Sequence, residues 1–444
     1  NHGKWHDKRR RETECEDEDP KVLIIGAGQS GLDVAARLKY LGVKTLIVDK
    51  EPRIGNLWRK RYEALCLHDT VCQSSSIATV LWSAADAGVL GYDHMPYLPF
   101  PPTWPVYTPA PKLADWLENY AHVLELDVWL STNIISVKQD PETHKWTVSL
   151  RREDGKERTF VVNHLVFAIG LGGGTLRMPS YPGADEFQGK ILHSGDFTTG
   201  RDYMVIDIPV MPEGHDISKD LYDHGVDVTL FQRGSTYVMS VNNGVTKVFG
   251  SLYHEGADPD VADLVNASFP NWLNHIVQQR VVKDIAELDK ETLDGLHRVG
   301  FRTNDGIDGS GFGILAWSKA GGYYLDVGAS QLIIDGKIKL KNDAQIKKFT
   351  KDGLEFENGS KLEADTVIFA TGYGDSRDPV KRVIGEELGK QLKPIWGLDA
   401  EGEINSVWRD SGIPNMYVMM GNLALCRFHS RHIALQIKAV EKQI

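Results

Sequence analysis

The chain has 444 residues, 41% hydrophobic and 25% charged, with a net charge of −11. That length is expected to fill two or three domains, and the negative balance argues against nucleic acid or an anionic membrane surface as a partner. No run reaches the roughly 18 apolar residues of a membrane span, and the four scattered cysteines form no C-x-x-C pair, so neither a disulfide framework nor a metal site is expected and a reducing, cytoplasmic compartment fits.

Residues 1–19 read as a charged linker, with Lys8-Arg9-Arg10-Arg11 followed by acids from Glu14 to Asp19. The chain opens without a methionine, so a preceding N-terminal domain is expected. Next comes an apolar strand, Val22–Ile25, run directly into Gly26-Ala27-Gly28-Gln29-Ser30-Gly31. Gly26 suits a tight turn, Gly28 admits a pyrophosphate against the backbone, and Gly31 lets a helix pack close to the strand. A second apolar run, Thr45–Val48, ends in Asp49-Lys50, where an acid can accept from a ribose hydroxyl. Residues 92–111 carry seven prolines among aromatics and read as an extended surface loop. Lys145–Leu150 and Glu157–Val162 flank Asp154-Gly155 as a hairpin, before a buried strand, His164–Ala168.

An offset of 183 residues lays part of the chain on itself. Gly31 meets Gly214, Leu38 meets Leu221, Gly42 meets Gly225, and Asp49-Lys50 falls on Gln232-Arg233. Two βαβ units of one design follow. The acid at the first strand end suits FAD, with its free ribose hydroxyl. The arginine at the second suits the 2′-phosphate of NADPH. The overlay also puts Pro209 on Gly26 and Met211 on Gly28, a departure expected to impair pyrophosphate binding in the second unit. Residues 256–298 read as helical. A later hairpin-bearing stretch, 337–373, ends in Thr366–Phe369 and Ala370-Thr371-Gly372, and His429–Ile444 reads as an amphipathic helix.

Phe187-x-Gly189-x-x-x-His193-x-x-x-Phe197 resembles the fingerprint of class B flavin monooxygenases, the flavin-containing and Baeyer–Villiger enzymes. The turn Ile54-Gly55-Asn56-Leu57-Trp58, the A-T-G motif at Ala370, and the segments 65–69 and 98–107 are similar to the same family, in its auxin-forming and fungal branch. The resemblance implies an α/β fold of two Rossmann-like domains: FAD in a discontinuous domain, 20–198 plus 330–444, and NADPH in an inserted one, 199–329. It implies FAD held by Gly26, Gly28, Gln29, Ser30, Gly31, Asp49, Lys50, Leu57 and Trp58, with Ala370, Thr371 and Gly372 also at a cofactor. It places NADPH around Gly214 and Arg233. It implies a monooxygenase that uses NADPH and O₂ to insert one oxygen into a small organic substrate through a C4a-peroxyflavin. Arg61, Tyr62, His68 and Asp69 are expected near the flavin, and His193 in a hinge with a gating role. The degraded second glycine motif leaves an alternative, an FAD-binding flavoprotein without NADPH-driven turnover.

Overall fold

The computed structural model describes residues 4–67, 92–101, 103–105, 107–203, 205–209, 212–254 and 256–443. His68, Asp69 and Met211 lie outside them. Two parallel five-stranded sheets organise the chain. The first runs, in spatial order, Met416–Val418, His164–Phe167, Val22–Ile25, Thr45–Val48 and Val128–Trp129. Ile24 lies level with Ile47 on one side and Val166 on the other. Its central strands are continuous apolar runs because both faces are buried. One cover is Gln29–Tyr40, against which the C-terminal helix Leu423–Lys442 packs. That helix starts six residues before the expected His429, because the Asn422 side chain caps it, accepting from the Leu425 amide at 3.0 Å.

The second sheet runs Lys339–Lys341, Asp227–Phe231, Val205–Pro209, Thr366–Phe369 and Lys190–His193. Its strands come from both sides of the expected borders at 198/199 and 329/330. Buried apolar strands carry no local mark of which sheet they will join. The strand Val205–Pro209 forms although it ends in proline, with Pro209 opposite Phe231; a strand end tolerates the missing N–H. The helix Pro212–Asp223 follows it, completing a second βαβ unit with Asp227–Phe231. The expected hairpin, Trp146–Arg151 with Glu157–Val162, is antiparallel, as is the later sheet of Ile346–Thr350, Gly353–Phe356 and Lys361–Glu363. Residues 256–298 contain three helices, Pro259–Ala267, Asn271–Leu288 and Lys290–Arg298.

Two expectations need correction. The charged lead-in is not a solvated linker: Trp5–Thr13 is a helix docked on the edge of the first sheet. Arg9 donates to Glu125 O at 2.7 Å and Asp127 Oδ1 at 2.9 Å, Trp129 Nε1 donates to Thr13 O at 2.7 Å, and Arg152 pairs with Glu14 at 2.6 Å. The basic run succeeds as a helix because an acidic patch faces it. The proline-rich stretch is likewise not merely superficial. Met95 and Phe100 are buried, and Phe100 stacks on Trp104 with ring centroids 4.8 Å apart.

Candidate functional site: two dinucleotide turns facing one junction

The first glycine turn divides its labour clearly. Gly26 has φ +110°, and a Cβ there would lie 2.3 Å from Ala168 O. A Cβ on Gly31 would lie 2.0 Å from Gly26 O. Both positions are therefore filled by backbone, and only glycine fits. Gly28 differs: nothing lies within 4 Å of its would-be Cβ. It caps the helix Gln29–Tyr40 without any side chain closing the terminus, so the free amides face open space, as a phosphate site requires. Asp49 stands beside this turn. Its Oδ2 accepts from the Ala27 amide at 2.6 Å and its Oδ1 from Glu51 N at 2.8 Å. Each oxygen keeps a lone pair for a ribose hydroxyl, and the two amides hold the carboxylate in place. Lys50 is exposed beside it. The turn thus fits the diphosphate and ribose of FAD.

A one-turn helix, Asn56–Arg59, borders the same cleft. Gly55 precedes it at φ +84°, where a Cβ would strike Ala114 O at 2.5 Å. Arg59 and Arg53 tie this turn to Glu118 of the helix Ala110–Val123, at 3.1 and 2.6 Å. Leu57 is exposed, whereas Trp58 is half-buried and donates through Nε1 to Gln29 Oε1 at 3.3 Å. Gln29 Nε2 in turn donates to Gly421 O at 3.2 Å, at the start of the C-terminal helix. Ser30 Oγ sits 3.2 Å from Cys426 Sγ on that helix. Gln29 and Ser30 therefore brace the turn against the C-terminal helix, a role that the sequence alone did not reveal.

Arg61 lies over the rings of Trp58 and Tyr62, at 5.7 and 5.9 Å. Tyr62 donates its hydroxyl to Asp216 Oδ2 at 3.0 Å, in the first turns of the helix Pro212–Asp223. This bond joins the segment after the helix Asn56–Arg59 to the second βαβ unit. The structure thus brings Arg61 and Tyr62 to the junction between the units, while His193 ends a strand of the second sheet, level with Phe369. His193 is buried, and its Nδ1 accepts from Gly195 N at 3.0 Å, so the ring proton of the neutral form resides on Nε2. Its ring centroid is 6.4 Å from that of Tyr373. The fingerprint itself packs the connection. A Cβ on Gly189 would lie 2.3 Å from Asp365 O, and Phe197 is buried between Tyr62 and Tyr203. Ala370-Thr371-Gly372 ends a strand of the second sheet, where the Thr371 hydroxyl donates to Arg177 O and Arg177 N donates to Gly372 O at 3.0 Å.

In the second unit, Gly214 is buried and its carbonyl accepts from Ser218 Oγ at 2.6 Å. The neighbouring His215 is fully buried and stacked on Tyr324, 4.1 Å between centroids; burial pushes its pKa down to about 3. Arg233 follows the strand Asp227–Phe231 with its side chain exposed and unpaired among the described residues. Arg302 donates to the carbonyls of Gln232 and Arg233 at 2.6 and 3.1 Å. Arg302 thus braces the backbone at the strand end that carries Arg233, a residue type suited to a 2′-phosphate. The sequence marked only Arg233.

His429, on the C-terminal helix, is half-buried against aromatic neighbours. Its ring stacks on Trp408 at 3.7 Å and 4°, with Nδ1 3.0 Å from His432 Nδ1. Burial pushes its pKa down to about 3. Between pH 6.5 and 3 the unfolded chain binds a proton here that the folded chain refuses, so stability falls as pH drops through that window. His429→Phe keeps the stack and removes the proton. It should flatten the acid limb of a urea-midpoint profile by up to about 1.4 kcal/mol per pH unit; an unchanged slope would refute this.

An open glycine turn with an acid at its strand end, and a second βαβ unit with Arg233 after its second strand, are the parts that a protein taking two dinucleotides requires. The family model described as flavin-binding monooxygenase-like matches residues 19–380, and the chain belongs to that family. Among curated proteins it is 28% identical over 404 residues to the probable indole-3-pyruvate monooxygenase YUCCA3 of Arabidopsis thaliana, covering 88% of this chain and 77% of that one. It is 25% identical to the indole-3-pyruvate monooxygenase YUCCA1 of Oryza sativa subsp. japonica, over 80% of this chain and 77% of that one. The fold matches a flavin-containing monooxygenase from Stenotrophomonas maltophilia with TM-score 0.61 at 17% identity, over 95% of this chain and 98% of the other. It also matches cyclohexanone monooxygenase from Rhodococcus sp. Phi1 bound to NADP+, with TM-score 0.59 at 15% identity, over 95% and 85%. The protein is an FAD- and NADPH-dependent monooxygenase. The flavoprotein without turnover is not favoured, because the family and the relatives are monooxygenases. Among the described residues no helix is long and apolar enough to cross a membrane, and no group of metal-ligating side chains occurs.

Proposed function

We propose that the junction bridged by the Tyr62–Asp216 hydrogen bond is the reaction site, where a small organic substrate is oxygenated. The single observation that carries this reading is that bond: one residue after Arg61, it ties the flavin-side turn to the helix that opens the NADPH unit. Gly26, Gly28, Gln29, Ser30, Gly31, Asp49, Lys50, Leu57 and Trp58 hold FAD. Gly214 and Arg233 hold NADPH. FAD supplies the redox and oxygen chemistry when bound. The protein's part is positional. Asp49 orients a ribose, Trp58 is held by Gln29 at the edge of the cleft, and Tyr62 keeps the two nucleotide turns in register. Arg61 offers a cation at the junction. His193, with its proton on Nε2, holds the turn into Gly195 and acts as a positioning residue of the connection; Thr371 and Gly372 hold that connection to Arg177. His68 is assigned with Arg61 and Tyr62 on sequence grounds alone.

The plant relatives' names make 2-oxo acids with an aromatic side chain the first substrate class to test. The free thiols of Cys15, Cys66 and Cys426 suit a reducing, cytoplasmic compartment, which fractionation of expressing cells checks. Anaerobic mixing of FAD-loaded protein with NADPH tests the central reading. Bleaching of the flavin band within seconds is expected, and a persistent oxidised spectrum would reject it. Arg233→Ala should raise the NADPH concentration needed for half-maximal reduction about tenfold to a hundredfold and leave NADH unchanged. Equal losses with both nucleotides would remove the 2′-phosphate assignment.

A further inference from the structure

The helices Pro259–Ala267 and Asn271–Leu288 leave an apolar face in solvent. On the first, Val261, Leu264 and Val265 recur at helical spacing and are 39–56% exposed. Phe269 stands at the corner, 44% exposed. On the second, Trp272, Leu273, Ile276 and Val277 are 42–54% exposed. No Asp, Glu, Lys or Arg interrupts the chain from Leu264 to Gln279. Eight large apolar side chains so close along the chain, each at least 39% exposed, are the kind of surface that marks a protein interface rather than singly scattered apolar residues.

Charge around this face is polarised. Arg280 and Lys283 lie exposed beyond its C-terminal end, without an ion pair among the described residues. At the opposite end, Asn271 Nδ2 donates to Gly402 O at 2.8 Å and so anchors a turn that carries Glu401 and Glu403. Both glutamates are exposed and likewise unpaired among the described residues.

We propose that a second copy of this chain docks on this face across a two-fold axis, with the two Asn271–Leu288 helices antiparallel. The arrangement is self-complementary, as a two-fold interface must be. Apolar surface meets apolar surface at the centre, and Arg280 and Lys283 of each copy approach Glu401 and Glu403 of the other. An anionic lipid surface is the poorer occupant. The net charge is −11, and the face lacks the ring of cations with which interfacial helices hold such lipids.

Sedimentation velocity of the FAD-loaded full chain, at tens of micromolar, tests the proposal. A dimer of twice 49.5 kDa is expected. Leu273→Glu with Ile276→Glu, both at exposed positions, should give a monomer with an unchanged flavin spectrum. Arg280→Glu should weaken association about tenfold or more, and adding Glu401→Arg in the same chain should restore it. A wild-type monomer would overturn the proposal, as would a dimer indifferent to the Leu273/Ile276 variant. Failure of Glu401→Arg to rescue would overturn the antiparallel arrangement. Monomeric protein that floats with phosphatidylcholine vesicles would assign the face to lipid instead. Flavin reduction by NADPH is read independently of all these outcomes.

Discussion

Gly28→Val is expected to give a folded but colourless protein. The φ of Gly28 is −79°, which any L-residue adopts, and the space beside it is empty of protein atoms. Valine therefore costs the apoprotein little more than a weakened helix cap, about 1 kcal/mol or less. The isopropyl group would instead occupy the approach of the diphosphate, and FAD affinity should fall at least about a hundredfold, roughly 2.7 kcal/mol. Gly31→Ala, three residues on, should do the opposite. Alanine ordinarily stabilises a helix by about 0.5–1 kcal/mol over glycine. Here its Cβ would sit 2.0 Å from the Gly26 carbonyl oxygen and 3.2 Å from its carbon, so the helix must back away from the strand. The apoprotein itself should lose stability, with or without flavin. Thermal unfolding of both apo variants, followed by flavin titration, separates the two. Comparable apo midpoints for both would refute this division of labour.

Asp263→Ala is expected to destabilise the protein by about 3–5 kcal/mol, because it strands a buried guanidinium. Arg427, on the C-terminal helix, reaches Asp263 through Nε at 2.8 Å and Nη2 at 2.6 Å. Both side chains are at most 4% exposed. Arg427 Nη1 also donates to Tyr92 O at 2.6 Å, and Tyr253 donates to Asp263 at 2.9 Å. The pair thus clamps the first unit's last helix to the helical insert of the second. Asp263→Leu combined with Arg427→Met should recover most of the loss, since apolar groups of similar volume replace buried ion pairs well. Urea midpoints check both. A single-variant loss below about 1 kcal/mol would mean that water reaches Arg427.

The parts of the molecule legible in the sequence are those whose partners lie close along the chain. Gly26, Gly28, Gly31 and Asp49 fall within one βαβ unit, so spacing alone placed them, and the structure gives each a distinct packing environment. The position of Arg233 just after the second unit's strand was legible through the internal repeat. Tyr62–Asp216 and Arg427–Asp263 join residues 154 and 164 positions apart, and no local pattern encodes such pairs. The strands Lys190–His193 and Thr366–Phe369 look like any buried apolar run, so their membership of the second sheet emerges only in three dimensions. The basic N-terminal run was misread because charge density alone cannot tell a solvated face from one opposed by Glu125 and Asp127.

The interleaving of the two sheets has a consequence for biosynthesis. The first sheet opens with Val22–Ile25 yet lacks its edge strand until Met416–Val418 has been made. The second sheet begins later and is complete at Phe369. On the ribosome, the unit that starts first finishes last, and one edge of His164–Phe167 stays unpaired until residues 416–418 are made. The second unit can therefore complete its sheet before the first can. The nascent protein must shield that edge until nearly every residue has emerged.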